Sequence, residues 1–137
     1  MDVPRPDAVN AFVAREYPSA HAQGYRCEGM EVGRAVARWA YDPAMLRPGS
    51  YISGPTQFML ADLCLWFLSF TVVGLAPMAV TSELHITFLR PAVGGDLVAE
   101  ARMLRAGRTR ISGDVRLWIE GAPEKLVAHA VGSYART

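Results

Sequence analysis

The chain has 137 residues, of which 51% are hydrophobic and 20% are charged, and its formal net charge is +1. This length suits one domain with a core of its own, and the high apolar content excludes an intrinsically disordered chain. The near-zero charge gives no overall attraction to nucleic acid or to an anionic membrane, so neither is expected as a partner. Residues 1–137 are therefore predicted to form a single domain.

The cysteines and the first residues indicate a cytoplasmic protein. Cys27 and Cys64 have neither the spacing of metal ligands nor a partner motif, so two reduced structural thiols are expected. The chain begins Met-Asp-Val-Pro and lacks the basic and then apolar pattern of a signal peptide. Because no group of histidine, cysteine and carboxylate residues has ligand spacing, neither a metal nor a redox cofactor is expected.

A short amphipathic helix is predicted near the N-terminus, over residues 4–17, and it should end at Pro18. Its apolar face consists of Val9, Phe12, Val13 and Tyr17. We expect residues 1–23 to form a helical extension that lies on the body of the domain.

A strand is predicted next, over residues 25–41, where side chains alternate and many are β-branched or aromatic. Gly29 and Gly33 are possible β-bulges within this strand. Residues 42–54 contain several prolines and glycines, and they predict a loop that leads to the middle of the chain.

The middle of the chain predicts one long helix, from Pro55 to about Val73, that is apolar on nearly all sides. A proline suits its first turn, and Gly74 suits its end. A membrane span is the alternative, but Gly74 and Pro77 interrupt the apolar run and no basic residue flanks it. A buried helix that the rest of the domain covers explains the pattern better.

Four strand-like runs follow this helix, and short turn-like segments join them. Such short connections predict that successive strands are antiparallel neighbours. The sequence therefore predicts an α+β fold, in which a curved antiparallel sheet of five or six strands wraps around the long helix. One layer of sheet leaves apolar surface partly open, which favours a homodimer. The four runs are 79–89, 96–104, 109–120 and 125–135, and their connections are 91–95, 105–108 and 121–123.

Three short motifs occur in order along the last two thirds of the chain. They are Leu60-Ala61-Asp62 in the helix, Ile86-Thr87-Phe88-Leu89-Arg90-Pro91 at a strand end, and Gly94-Gly95-Asp96 in the following turn. With the order of elements, they make residues 24–136 resemble the hotdog-fold acyl-CoA thioesterases of the PaaI-like group. The resemblance implies the hotdog fold and a homodimer, or a tetramer, with active sites at the subunit interface near the N-terminus of the central helix.

The resemblance also implies two catalytic positions. In PaaI-like enzymes a His-Gly-Gly segment precedes the helix, and an aspartate about two turns into it acts as nucleophile or general base. The segment falls on Ser53-Gly54-Pro55 and the aspartate on Asp62, so serine replaces the histidine and proline replaces the second glycine. Asp62 takes the acid position, and the Gly54 N–H is expected to stabilise the oxyanion that forms on the thioester carbonyl.

Asp62 is unusual even without the resemblance, because it is the only charged residue between Arg47 and Glu83. Desolvating a carboxylate in an apolar helix is costly unless the group is paired, hydrogen-bonded or functional. The alternative to a catalytic role is a structural one, in which Asp62 is held by neighbouring backbone or by a second subunit.

Other residues are expected to bind substrate or to complete the helix end. Ser53 could keep a hydrogen-bonding role or cap the helix. Thr56 and Gln57, in the first turn, could orient water or the carbonyl, or could satisfy the helix end. His85 belongs to an alternating set with Thr81, Glu83 and Thr87 that should face away from the helix, so a solvated or interfacial His85 is favoured over a catalytic one.

Arginines cluster around one predicted turn, although the total charge is balanced. Phosphate groups of coenzyme A need such donors beside an acyl site. We select Arg90 and Arg108 as phosphate ligands, because they match the strand-end and turn positions of the family; a solvated hairpin tip is the alternative. The cluster consists of Arg102, Arg105, Arg108 and Arg110, with Arg90 at the end of the preceding strand.

The function that the resemblance implies is hydrolysis of an acyl- or aryl-acyl-CoA thioester, in which Asp62 activates water or attacks the carbonyl. One rival is a non-catalytic protein that binds acyl-CoA or another small ligand, its activity lost with the histidine. A hotdog hydratase or dehydratase is a weaker rival, because it needs a histidine paired with the acid and none occurs from Leu63 to Pro77.

Overall fold

A six-stranded antiparallel sheet wraps around one long helix in the structure, a computed structural model that describes residues 2–136. The strand order is β1-β2-β4-β5-β6-β3. This is the hotdog fold that the resemblance implied. The helices are α1 (Pro6–Glu16), α2 (Pro18–Ala22) and α3 (Gly54–Val73), and the strands are β1 (Tyr25–Glu31), β2 (Arg34–Trp39), β3 (Val80–Phe88), β4 (Leu97–Ala106), β5 (Arg110–Ile119) and β6 (Ala128–Ala135).

The observed ends of α3 agree with the predicted ends to within one residue. Ser53 caps its N-terminus, with Oγ accepting a hydrogen bond from the Thr56 N–H at 3.2 Å. Gly74 ends the helix in a left-handed conformation, with φ +77°, which costs glycine little. Within residues 2–136, one helix, α3, is long and apolar enough to cross a membrane. However, 72% of its apolar 18-residue segment is buried inside the fold.

Two glycines allow the sheet to approach α3 closely. Gly113 of β5 and Gly132 of β6 are direct neighbours across the two strands. A Cβ atom at Gly113 would lie 2.7 Å from Leu68 Cδ2, and one at Gly132 would lie 3.0 Å from Leu65 Cδ1. A larger residue at Gly113 would therefore overlap Leu68 of the helix, and one at Gly132 would overlap the Glu83 carbonyl of β3 as well as Leu65 of the helix.

The N-terminal helices pack on α3 and protect one sheet edge. Phe12 of α1 contacts the rings of Trp66 and Phe70, with centroids 5.9 and 5.6 Å apart. Asn10 accepts a hydrogen bond from the Cys27 N–H at 2.7 Å and donates one to its carbonyl at 2.9 Å. The Asn10 amide thus pairs with β1 as a neighbouring strand would.

Two predictions for the N-terminal third were wrong in detail. Pro18 ends α1 as predicted, but it also begins the short helix α2, because proline is well suited to a first helical turn. Residues 25–41 form a hairpin rather than one strand, with Gly33 in its turn at φ +75°. The irregularity expected at Gly29 is present, as a register shift between Cys27 and Gly29.

The prediction that β3 and β4 are neighbours was also wrong. β3 pairs with β6 at the sheet edge, so residues 89–96 cross the end of the sheet instead of forming a hairpin turn. Hydrogen bonds hold this crossing: Leu89 donates to the Val127 carbonyl at 2.9 Å, and Ile52 donates to the Ala92 carbonyl at 2.8 Å. The later neighbours, β4 with β5 and β5 with β6, are confirmed.

The close contact at Gly113 leads to a prediction about stability. We expect Gly113→Ala to lower the free energy of unfolding by about 1–3 kcal/mol, because its methyl group would overlap Leu68 and the Arg102 carbonyl. Gly29→Ala is the control, since its Cβ would meet Val36 at an ordinary 3.4 Å. Urea denaturation measures both; equal stability of the two variants would contradict the tight contact.

Candidate functional site

Two cavities lie at opposite ends of β3, and each contains one of the predicted catalytic residues. The first, which we call the Asp62 pocket, is lined by apolar residues together with Glu16, Tyr17, Asp62, Trp66, Thr81 and Tyr134. The second, the Gly54 pocket, is lined by Arg47, Tyr51, Gly54, Gln57, Phe88 and Arg90 among others.

The Asp62 carboxylate is half-buried and is held by hydroxyl groups. Its Oδ1 accepts hydrogen bonds from Thr81 Oγ1 at 2.6 Å and from the Tyr134 hydroxyl at 2.8 Å. Within residues 2–136, no arginine, lysine or histidine pairs with Asp62. The negative charge is thus solvated by neutral donors and is not neutralised by a cation.

Tyr134 is a neutral donor in this arrangement. Its side chain lies in the core and is only 6% exposed. Burial raises the pKa of Tyr134 above its ordinary value, and the nearby negative charge of Asp62 raises it further. The phenol therefore keeps its proton at neutral pH and can donate it to the carboxylate.

Sequence reasoning missed both hydroxyl donors. The alternation along β3 predicted that Thr81 faces away from α3, but a register shift between Thr81 and Glu83 turns Thr81 toward the helix. Tyr134 lies 72 residues after Asp62, and no local motif marks it. His85, on the regular part of the same strand, is exposed.

At the other end of β3, the first turn of α3 presents one free backbone donor. Pro55 has no N–H, the Thr56 N–H is bound by the Ser53 hydroxyl, and the Gln57 N–H is bound by the Ser53 carbonyl at 3.1 Å. Of the first four residues of α3, only Gly54 has an N–H without a partner in the described chain. The positive end of the helix dipole adds to its attraction for an oxyanion.

The polar side chains beside Gly54 differ in their availability. The Thr56 hydroxyl lies 3.1 Å from Ser53 Oγ and is almost fully buried, so it takes part in the helix end. Gln57 donates from Nε2 to the Ile52 carbonyl at 3.1 Å, whereas its buried Oε1 has no hydrogen-bond partner in residues 2–136. Gln57 thus lines the Gly54 pocket and has one side-chain acceptor that the described residues leave unsatisfied.

The selected arginines lie far apart within one chain. Arg90 follows the Phe88 end of β3, whereas Arg108 lies in the β4–β5 turn, beyond the end that pairs with Val80. Neither has a carboxylate partner in the described part of the chain, and nor do Arg105 and Arg110. The other member of the predicted cluster, Arg102, is paired with Glu100 at 3.1 Å.

Gly54 and Asp62 are also separated within one chain. They are eight positions apart on a continuous helix, which corresponds to about 12 Å along the helix axis. A carbonyl bound to the Gly54 N–H lies too far away for Asp62 of the same chain to act on it. One end of β3 thus carries Ser53, Gly54, Thr56, Gln57 and Arg90, and the other end carries Asp62 and Arg108.

Comparisons with known proteins agree with one another. A family model described as the thioesterase superfamily matches residues 49–125, more than half of the chain. A Saccharolobus solfataricus protein named as an esterase is 34% identical over 105 residues, which cover 77% of this chain and 73% of the relative. A crystal structure described as a thioesterase, from Silicibacter sp. TM1040, is 31% identical with a TM-score of 0.87 and covers 98% of this chain and 93% of its own.

A second solved structure is similar over nearly the same length. It is the E. coli PaaI protein from the phenylacetic acid degradation operon, which is 27% identical with a TM-score of 0.78. The match covers 94% of this chain and 91% of that one.

The capping contact of Ser53 leads to a second prediction about stability. We expect Ser53→Ala to lower the free energy of unfolding by about 1 kcal/mol, because the Thr56 N–H loses its acceptor. Ser53→Asp should retain most of the stability, since an aspartate caps a helix N-terminus equally well. Chemical denaturation compares the two; an alanine variant as stable as the parent would show that Ser53 is not a cap.

Proposed function

Because the chain belongs to the thioesterase superfamily and has the hotdog fold of its PaaI-like members, we propose that this thioester hydrolase acts on an acyl- or aryl-acyl-CoA. The observation that supports the mechanism most strongly is the Asp62 carboxylate, which is held by two hydroxyl groups and opens onto a pocket. A half-buried carboxylate with no cation beside it is suited to accept a proton.

We propose that the active site is completed by a second copy of the chain. Within residues 2–136, β3 is an edge strand with no neighbour on its outer side, and its side chains Val80 and Phe88 are 55% and 51% exposed. An unpaired, apolar edge strand favours pairing with another strand. The opposite edge is less available, because Asn10 already binds the main chain of β1 at Cys27.

Antiparallel pairing of β3 with its copy about a two-fold axis would bring the two half-sites together. Thr81, at one end of β3, contacts Asp62, and Phe88, at the other end, lies beside Gly54. The axis places the Thr81 end of one strand next to the Phe88 end of its partner. Asp62 of one subunit then faces Gly54 of the partner subunit, and the dimer has two such sites.

The proposed reaction is hydrolysis at the thioester carbonyl. The carbonyl oxygen accepts a hydrogen bond from the Gly54 N–H, which stabilises the negative charge that develops there. Asp62 takes a proton from water as the water oxygen attacks the carbonyl carbon. The C–S bond then breaks, Asp62 gives its proton to the leaving thiolate, and the carboxylic acid and the thiol of coenzyme A are released; no metal or redox cofactor takes part.

Gln57 is proposed to orient the attacking water. Gln57 lines the Gly54 pocket, and its buried Oε1 is an acceptor without a partner in the described residues. A water molecule that gives one proton to Asp62 can donate its second to this oxygen. Ser53 and Thr56 support the site indirectly, because their hydroxyl groups fix the start of α3.

The arginines are proposed to bind the phosphate groups of coenzyme A. The same two-fold axis that joins Asp62 with Gly54 of the partner brings Arg108 of one subunit toward the end of the partner that carries Arg90. Guanidinium groups without carboxylate partners are free to bind phosphate. This surface would lie next to the site of thioester cleavage.

The role of Asp62 can be tested by one isosteric change. We expect Asp62→Asn to lower kcat by about 10²–10⁴-fold, because the amide cannot accept the proton from water. Release of free thiol from a panel of acyl- and aryl-acyl-CoAs measures the activity. The matched control is Asp114→Asn, which alters a carboxylate bound to His129 elsewhere in the sheet and should leave activity unchanged.

Full turnover of the Asp62→Asn variant, with its fold and assembly intact, would contradict the proposed function. Tight binding of acyl-CoA by the parent protein without any thiol release across the panel would also contradict it.

The phosphate role of the arginines can be tested separately from the chemistry. We expect Arg108→Gln and Arg90→Gln to raise KM for acyl-CoA about 3–10-fold and to leave kcat unchanged, because a charge-assisted contact to phosphate is lost. The N-acetylcysteamine thioester of the same acyl group has no phosphate, so its KM should not change. Arg102→Gln, which alters a side chain already paired with Glu100, is the control. An equal effect on both substrates would contradict a phosphate contact.

A further inference from the structure

Both hydrogen bonds to the Asp62 side chain end on the same oxygen. Thr81 Oγ1 and the Tyr134 hydroxyl lie 2.6 and 2.8 Å from Oδ1, and Oδ2 has no hydrogen-bond partner in residues 2–136. The Tyr134 hydroxyl also lies 3.1 Å from the Asp62 main-chain carbonyl oxygen. The two oxygens of one carboxylate therefore have different environments.

We propose that Thr81 and Tyr134 are positioning residues of the hydrolase, which hold Oδ1 of Asp62 so that Oδ2 alone meets the reacting water. This inference depends on the proposed catalytic role of Asp62 and extends it to two residues outside the resemblance. It assigns different tasks to the two carboxylate oxygens: Oδ1 is the fixed oxygen, and Oδ2 is the base.

The three groups come from three separate elements of the fold. Asp62 lies on α3, Thr81 on β3 and Tyr134 on β6, and the Tyr134 ring is enclosed in the core. Because its hydroxyl reaches both the main-chain oxygen and Oδ1 of Asp62, Tyr134 fixes the side chain relative to its own backbone. A catalytic group held in one orientation loses no rotational freedom as the reaction proceeds.

The direction of both hydrogen bonds follows from the chemistry of the groups. A carboxylate can only accept hydrogen bonds, so both hydroxyl groups donate to Oδ1 of Asp62. A hydrogen bond to a charged oxygen is stronger than one to a neutral oxygen, so these two contacts hold the side chain firmly. Burial keeps Tyr134 in its protonated form, so it remains a donor through the neutral pH range.

The irregularity in β3 is a second, independent sign of this arrangement. A regular strand would place the Thr81 side chain on the face away from α3, and the register shift before Glu83 reverses it. β-bulges near active sites commonly redirect a side chain in this way. The register shift in β3 thus allows Thr81 to donate a hydrogen bond to Asp62.

The test compares variants that remove only the donors. We expect Tyr134→Phe and Thr81→Val each to lower kcat about 10-fold with little change in KM, because one hydrogen bond to a charged group is lost. Thr81→Ser keeps the hydroxyl group and should retain the kcat and KM of the parent.

Thr87→Val, on the regular part of the same strand, is the matched control and should behave like the parent. A merely structural role for Thr81 and Tyr134 predicts lower thermal stability with kcat unchanged, and that result would overturn the inference. If Tyr134→Phe does not fold, the comparison of Thr81→Val with Thr81→Ser decides the question alone. Full activity of Asp62→Asn would instead overturn the proposed function, so the two failures are distinct.

Discussion

The burial of α3 is the constraint on which the rest of the structure depends. This helix is apolar on almost every side, so the free energy of folding favours an arrangement that covers it completely. The sheet curls around it, Gly113 and Gly132 allow close contact, and α1 covers the surface around Trp66. The apolar side chains of β3 that stay exposed favour a second chain that would cover them.

Within this apolar helix, the one charged residue has an environment that suits base catalysis. A carboxylate paired with arginine would be a weak base, and one buried without any donor would be costly to ionise. Asp62 is in neither situation, because it has two neutral hydroxyl donors and is half-buried. At the start of the same helix, the Gly54 N–H carries a partial positive charge where the proposed reaction develops negative charge. The proposed site thus combines a negative carboxylate at Asp62 with a positive helix end at Gly54.

Short sequence motifs predicted the fold well where a residue type favours one local structure only. Ser53, Pro55 and Gly74 predicted the ends of α3 to within one residue, and short connections predicted the β4–β5 and β5–β6 pairs. The pairing of β3 with β6 was not predictable in this way, because a short connecting segment does not reveal whether it turns back or crosses the sheet. Likewise, a glycine such as Gly33 can form a bulge or a hairpin turn.

The residues of the candidate site also divide into those that the sequence predicted and those that it did not. Asp62 and Gly54 were identified from charge, helix position and family resemblance. Thr81 was missed because a bulge breaks the alternation, and Tyr134 was missed because its contact with Asp62 spans 72 residues. The distance between Gly54 and Asp62 follows from helix geometry alone, and the proposed mechanism therefore requires that two chains contribute to each site.

The most direct test of this account is a heterodimer of two inactive variants. One chain carries Asp62→Asn, and the other carries Gly54→Leu, which would fill the Gly54 pocket; each variant alone should be inactive. In a heterodimer isolated through two different affinity tags, one site combines the intact Asp62 of one chain with the intact Gly54 of the other. The account predicts about half of the parent activity per dimer. An inactive heterodimer, with both chains folded and paired, would contradict a site shared between subunits.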